Sequence, residues 1–159
     1  MLSSFEPFRI SFAPLSIDEI YHGVDRPKNG AVVLMSGMVR EQTQGRLVMA
    51  LEYQAYEPMA LKVFADISQE IHRRWSIVTR VMIHHRVGRL SVGDISILVA
   101  VGAPHRAEAF SACQFAIDTV KHEAPIWKKE YWRDGTSSWV SVGDCESESP
   151  QKAQSGQRD

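Results

Sequence analysis

A chain of 159 residues is long enough to bury one sizeable core and short for two. With 44% hydrophobic residues, 23% charged residues and a formal net charge of −1, it lacks the basic excess by which a general nucleic-acid coat displaces counterions. A local basic pocket for a small anion is compatible with that balance, because net charge says nothing about clustering. The longest apolar run, ISILVAV from Ile95 to Val101, is far shorter than the roughly 20 residues that span a bilayer. The start, MLSSFEPFRISFAPL, has no basic region ahead of an apolar one and so does not read as a secretion signal. Cys113 and Cys145 form no CxxC pair and imply neither a disulfide framework nor a zinc knuckle. The expectation is a cytoplasmic protein with reduced thiols, bound to neither membrane nor nucleic acid.

In chain order, the alternation in FEPFRISFAPLSIDEI hints at a first strand. GAVVLMSGMVRE (Gly30 to Glu41) and RLVMALEYQAY (Arg46 to Tyr56) are β-rich and flank the turn-like QTQG, which predicts a hairpin. Met59, Val63, Ile67, Ile71 and Trp75, with Phe64 beside them, recur at helical spacing and predict a helix over 58–75. IVTRVMIHHRVG and DISILVAVG read as strands joined through RLSVG. A second helix is predicted over 104–122, with Phe110, Cys113, Ile117 and Val120 as its apolar stripe. Pro125 blocks its continuation, since the ring removes a donor and disfavours helix in the preceding residue. IWKKEYW and SWVSV then form a last hairpin around RDGTS. The expected fold is α+β, one domain over residues 1–144, with a mostly antiparallel sheet and two main amphipathic helices. The Ser/Gln-rich tail over 145–159 has no large apolar residue to offset its ordering entropy and reads as disordered.

Basic residues gather in three places. GMVRE delivers Arg40 to a strand end, as a solvated arginine or as a planar fork for phosphate or carboxylate. GAPHRAEAF puts His105 and Arg106 in the first turn of the second helix. A cation opposes the helix dipole there, but free N–H groups and a cation together suit an anion. KHEAPIWKKEYW places Lys121 in that helix's last turn, where the dipole favours it, and Lys128 and Lys129 on the following strand. Period two sets Ile126, Lys128, Glu130 and Trp132 on one face and Trp127, Lys129 and Tyr131 on the other, so only one of the paired lysines shares a space with Lys121. A lysine held among rings and other cations moves toward a neutral amine that serves as nucleophile or base. His84 and His85 are adjacent and point to opposite faces. No HExxH or HxH pattern occurs, and no metal site is expected. Cys113 falls on the helix stripe and reads as core.

Taken together, GMVRE, LEYQAYEPMA, HRVGRLSVGD, VGAPHRAEAFSACQFAIDTVK, PIWKKE and DGTSSWV resemble the large, catalytic subunit family of molybdopterin synthase, in the family's order and over roughly Gly30 to Val140. The resemblance implies a hammerhead-like α+β fold and a sulfurtransferase of molybdenum cofactor biosynthesis. In that reaction a small ubiquitin-like subunit donates sulfur from its C-terminal thiocarboxylate to cyclic pyranopterin monophosphate, and two rounds build the molybdopterin dithiolene. It implies no cofactor, since the partner supplies the sulfur, and a heterotetramer built on a homodimer of large subunits. The family's essential lysines fall on Lys121 and Lys128, either of which could be the nucleophile or move protons. Its substrate-contacting segments fall on Met38, Val39 and Arg40, on His105 and Arg106, and on Lys128, Lys129 and Glu130. Trp127, Tyr131 and Trp132 are candidates for the partner-docking face. A non-enzymatic module binding small anions or nucleotides, or a structural subunit docking an acidic protein, would use the same basic positions without needing either lysine for turnover. His105 and Lys121 stand about 24 Å apart at the helical rise, too far for one pterin to touch both. The expectation is therefore an active site shared between two copies of the chain.

Overall fold

The computed structural model describes residues 5–141; the domain end at 144 and the tail at 145–159 lie outside them. In chain order the elements are β1 (Phe8–Ser11), α1 (Ile17–Val24), β2 (Ala31–Met38), β3 (Gln42–Thr43), β4 (Arg46–Ala55), α2 (Glu57–Arg74), β5 (Arg80–Arg86), β6 (Gly88–Ser91), β7 (Ile95–Ala103), α3 (Arg106–Glu123), β8 (Ile126–Trp132) and β9 (Ser137–Ser141). The fold is α+β. Its first sheet has the order β1-β5-β7-β2, antiparallel except that β1 runs parallel to β5. The second joins β3, β4, β8 and β9, with β6 also pairing to β4.

The first sheet is covered on both faces. Odd-numbered positions of β5 and β7 (Val81, Ile83, Val99, Val101) pack with Phe64, Ile67 and Ile71 of α2 and with the buried side of α3. Even-numbered positions (Met82, Leu98, Ala100) pack with Ile20 and Val24 of α1. β7 is apolar on both faces because it lies at the sheet's interior, as such continuous runs require.

Several sequence expectations need correction. GAVVLMSGMVRE and RLVMALEYQAY do not pair with each other: β2 pairs with β7, and β4 with β8. The doubly apolar β7 needs a partner on each edge, and β2 fills one of them. RLSVG is more than a turn, since β6 runs into it and pairs with β4. The expected strand at the N-terminus is present, but a third helix, α1, follows it. Ser16 caps α1 by accepting the N–H of Glu19 at 3.1 Å. On α3, Phe110 is 62% exposed, and the buried face is Ala109, Ala112, Cys113, Ala116, Ile117 and Val120. Alanines let this helix lie close to the sheet, and a search for large apolar residues passes over them. Met59 of the α2 stripe is likewise exposed, and Ala60 and Phe64 take the core positions.

Phe64 is wholly buried between α2 and the first sheet. Phe64→Ala should cost about 3–5 kcal/mol by urea unfolding, the usual loss for a buried aromatic truncated to a methyl.

Candidate active site

α3 stops where Pro125 cannot continue it, and Ala124 closes the last turn with its N–H on the Val120 carbonyl at 3.0 Å. The Pro125 carbonyl then accepts the N–H of Tyr56 at 3.1 Å, which ties the corner to the start of α2. Beyond the corner, β8 alternates as its sequence requires: Ile126, Lys128, Glu130 and Trp132 are buried, and Trp127 is 48% exposed on the other face. Lys121 shares a face of α3 with Ile117, four residues earlier. The corner thereby turns both lysines into one cavity of about 260 Å³.

The cavity lies where the end of α3, the edge of the first sheet and the inner face of the second sheet meet. β2 and its following loop contribute Met35, Gly37, Met38 and Arg40; β4 contributes Leu51 and Tyr53; β5 contributes His85. A bulge at Gly37/Met38 ends regular pairing with β7. The loop is pinned by the Val39 N–H on the Asp94 carbonyl at 3.0 Å and the Gly93 N–H on the Val39 carbonyl at 2.9 Å. The Val39 side chain anchors among Leu51, Leu90 and Trp132, and Arg40 is left at the rim. A Cβ on Gly37 would come within 2.6 Å of Ile97, so glycine keeps this wall open.

Among the described residues, three cations, Arg40, Lys121 and Lys128, and one carboxylate, Glu130, line the cavity. Lys128 Nζ stands 3.4 Å from Glu130 Oε1, with side chains 11% and 3% exposed. An ion pair so far from water keeps most of its Coulomb attraction. Among the described lining residues cations outnumber carboxylates, which suits the cavity to a small anion.

His85, also on the wall, donates from Nδ1 to the Arg86 carbonyl at 2.7 Å, and burial lowers its pKa to about 4. His84 faces the opposite side, where Nε2 bonds the Glu6 carbonyl at 2.8 Å; burial lowers its pKa too. Cys113 is buried, and burial pushes its thiol up to about 11, which suits core packing rather than nucleophilic attack. Among the described residues no three His, Cys, Asp or Glu side chains gather as a metal site, and no helix is long and apolar enough to cross a membrane.

Of the residues expected at the site, Met38, Arg40, Lys121, Lys128 and Glu130 line this cavity. Val39 supports it from the core. Lys129 lies on the outer face of β8, with Nζ 5.2 Å from the Tyr131 ring and 5.7 Å from the Trp139 ring. His105 and Arg106 border a separate hollow with Gly30, Pro104 and Ala107 at the other end of α3. Of the candidate docking aromatics, Trp127 is on the surface and Trp132 is buried. Tyr53 and His85 were absent from the expected set. The signal for Tyr53 was its place in LEYQAY, two residues from Leu51 on the same strand face.

The α+β domain thus encloses a cavity of small-molecule size, lined by cations, between two sheets and a helix end. The chain belongs to the MoaE protein family, whose model matches residues 10–123. A Nostoc molybdopterin synthase catalytic subunit is 64% identical over 141 residues, covering 89% of this chain and 86% of the relative. The crystal structure of molybdopterin synthase from Staphylococcus aureus superposes with a TM-score of 0.81 at 41% identity, covering 85% of this chain and 97% of that one. A Helicobacter pylori protein–protein complex of subunits 1 and 2 of molybdopterin-converting factor shares the fold, with a TM-score of 0.71 at 20% identity and coverage of 85% and 90%. These relatives support an enzymatic role in molybdopterin biosynthesis.

A histidine whose pKa is lowered by folding binds fewer protons folded than unfolded. Its contribution is therefore intact above the unfolded value of about 6.5 and declines as pH falls toward 4, by up to about 3 kcal/mol for His85. Urea unfolding at pH 7.5 and 4.5 should show a smaller acid loss in His85→Gln than in the unsubstituted protein.

Proposed function

We propose that the protein is the catalytic subunit of a molybdopterin synthase, a sulfurtransferase acting on cyclic pyranopterin monophosphate. The observation that carries this reading is the convergence of Lys121, Lys128 and Arg40 on one small cavity. A phosphate-bearing pterin matches that charge. The sulfur donor is the C-terminal thiocarboxylate of a small ubiquitin-like carrier, entering as an extended chain recognised mainly through its backbone. The Helicobacter pylori neighbour, described as a complex of two subunits, supports a protein partner of this kind.

In each round the thiocarboxylate sulfur forms a C–S bond to the pterin side chain. A C–O bond of that side chain breaks, its oxygen leaving as water or with the phosphate, and a water molecule hydrolyses the acyl–sulfur bond to the carrier's carboxylate. Sulfur is exchanged for oxygen without oxidation or reduction, and two rounds complete the dithiolene. Lys128, beside Glu130, serves as the charged group that stabilises developing negative charge, together with Arg40. Lys121 then takes the covalent or proton-transfer role.

His105 and Arg106 sit too far along α3 to reach a substrate held by Lys121. In this reading they complete the cavity of a second copy, in a homodimer that forms the centre of a heterotetramer.

Purified protein with thiocarboxylated carrier and precursor should yield dithiolene product. Lys121→Ala and Lys128→Ala, still folded and still binding the carrier, should each lose at least about 100-fold in rate, the scale of losing a group that acts in the transition state. No product from the unsubstituted protein with carrier bound would reduce it to a binding module. Mixing Lys121→Ala with Arg106→Ala subunits should restore activity, since one site in the mixed dimer is intact. No recovery in confirmed mixed dimers would refute the shared site.

A further inference from the structure

His85 lines the cavity, yet the sulfur transfer as proposed gives it no task. Its ring meets Tyr53 edge-on at a centroid distance of 5.0 Å, and Tyr53 is the register partner of Lys128. The imidazole thus lines the same cavity as the two lysines. Its hydrogen-bonding capacity follows from one contact. A carbonyl can only accept, so the 2.7 Å bond to Arg86 puts the hydrogen on Nδ1. In the neutral ring Nε2 then carries a lone pair. Nε2 has no hydrogen-bond partner among the described residues and is not one of their fully enclosed orphan atoms, and His85 lines the cavity.

The other polar groups facing this space are Arg40, Thr43, Tyr53, Ser96, Lys121, Lys128 and Glu130. Arg40 and the lysines only donate. Ser96 donates to the Gly37 carbonyl at 3.3 Å, and Glu130 stands against Lys128. The cations suit the anionic end of a ligand; for its uncharged end His85 supplies, beside the Thr43 and Tyr53 hydroxyls, a nitrogen acceptor that does not cancel the positive field.

We propose that His85 is a specificity-determining residue, whose Nε2 accepts a hydrogen bond from an N–H or O–H of the substrate's uncharged heterocyclic end while the cations hold the phosphate. This rests on the sulfur-transfer reading above. It also explains the tautomer, since the bond to Arg86 directs the lone pair outward.

Two amide substitutions separate the acceptor from the structural bond. In His85→Asn the amide nitrogen can replace Nδ1 toward Arg86, and the Nε2 position is lost. In His85→Gln the amide oxygen reaches the Nε2 position. Full-length protein is titrated with cyclic pyranopterin monophosphate by pterin fluorescence and assayed with thiocarboxylated carrier. His85→Asn should weaken binding and raise KM about tenfold, the worth of one unreplaced hydrogen bond, with kcat within about threefold; His85→Gln should stay within about threefold on both. Unweakened binding by His85→Asn, or equal loss in both folded variants, overturns the assignment. Independently of either variant's folding, the His85 Nε2 resonance of 15N-histidine-labelled protein should move upfield when precursor is added, and an unmoved resonance at saturation also overturns it. Failure of the unsubstituted protein to bind precursor removes the sulfur-transfer reading itself; normal binding and turnover with an indifferent His85 removes this inference alone.

Discussion

Taking a lysine and a glutamate out of water costs several kcal/mol per ion, and a neighbouring opposite charge returns only part of it. On β8 the chain places both, Lys128 and Glu130, on the buried face between Ile126 and Trp132. Their position depends on the β4–β8 register, in which Tyr53 opposes Lys128 and Leu51 opposes Glu130. A slip by one residue would exchange this face for Trp127, Lys129 and Tyr131, burying an indole and exposing the ion pair. The apolar residues at either end of the strand hold the register, and the register holds the charge. The cavity is where that buried charge meets solvent and ligand.

The first sheet sets the opposite wall. Because β7 is apolar on both faces, α1 must cover one side and α2 and α3 the other. The alanine-rich underside of α3 brings its backbone close to β2 and β7, and its last turn reaches past the sheet edge toward β8. Strand parity also divides the adjacent histidines: His84 helps dock the N-terminal segment through the Glu6 carbonyl, and His85 looks into the cavity. One pleat thus separates a structural imidazole from one available to a ligand.

Much of this was legible locally. Pro125 marked the end of α3, the alternation in IWKKEYW put Lys128 and Glu130 on one face, and helix length alone separated His105 from Lys121. The Ser16–Glu19 spacing in SIDE is a local N-cap signal for α1, a helix of 8 residues. Phe110 misled because a large apolar residue on a helix was taken for core, although the buried side is built from small residues. The pairing of β2 with β4 misled because nearness in sequence favours a hairpin, and two strands divided between different sheets leave no local trace.

The sequence by itself determined which residues could share a face, where helices had to stop, and that basic side chains would cluster beside a proline corner. Those are consequences of backbone period and ring chemistry, which act over a few residues. Tertiary structure alone decided that His85, Tyr53 and Leu51 would join the two lysines around one cavity. They come from strands of different sheets, and the pairing of those strands is chosen by burial summed over the whole core rather than by any residue's neighbours in the chain.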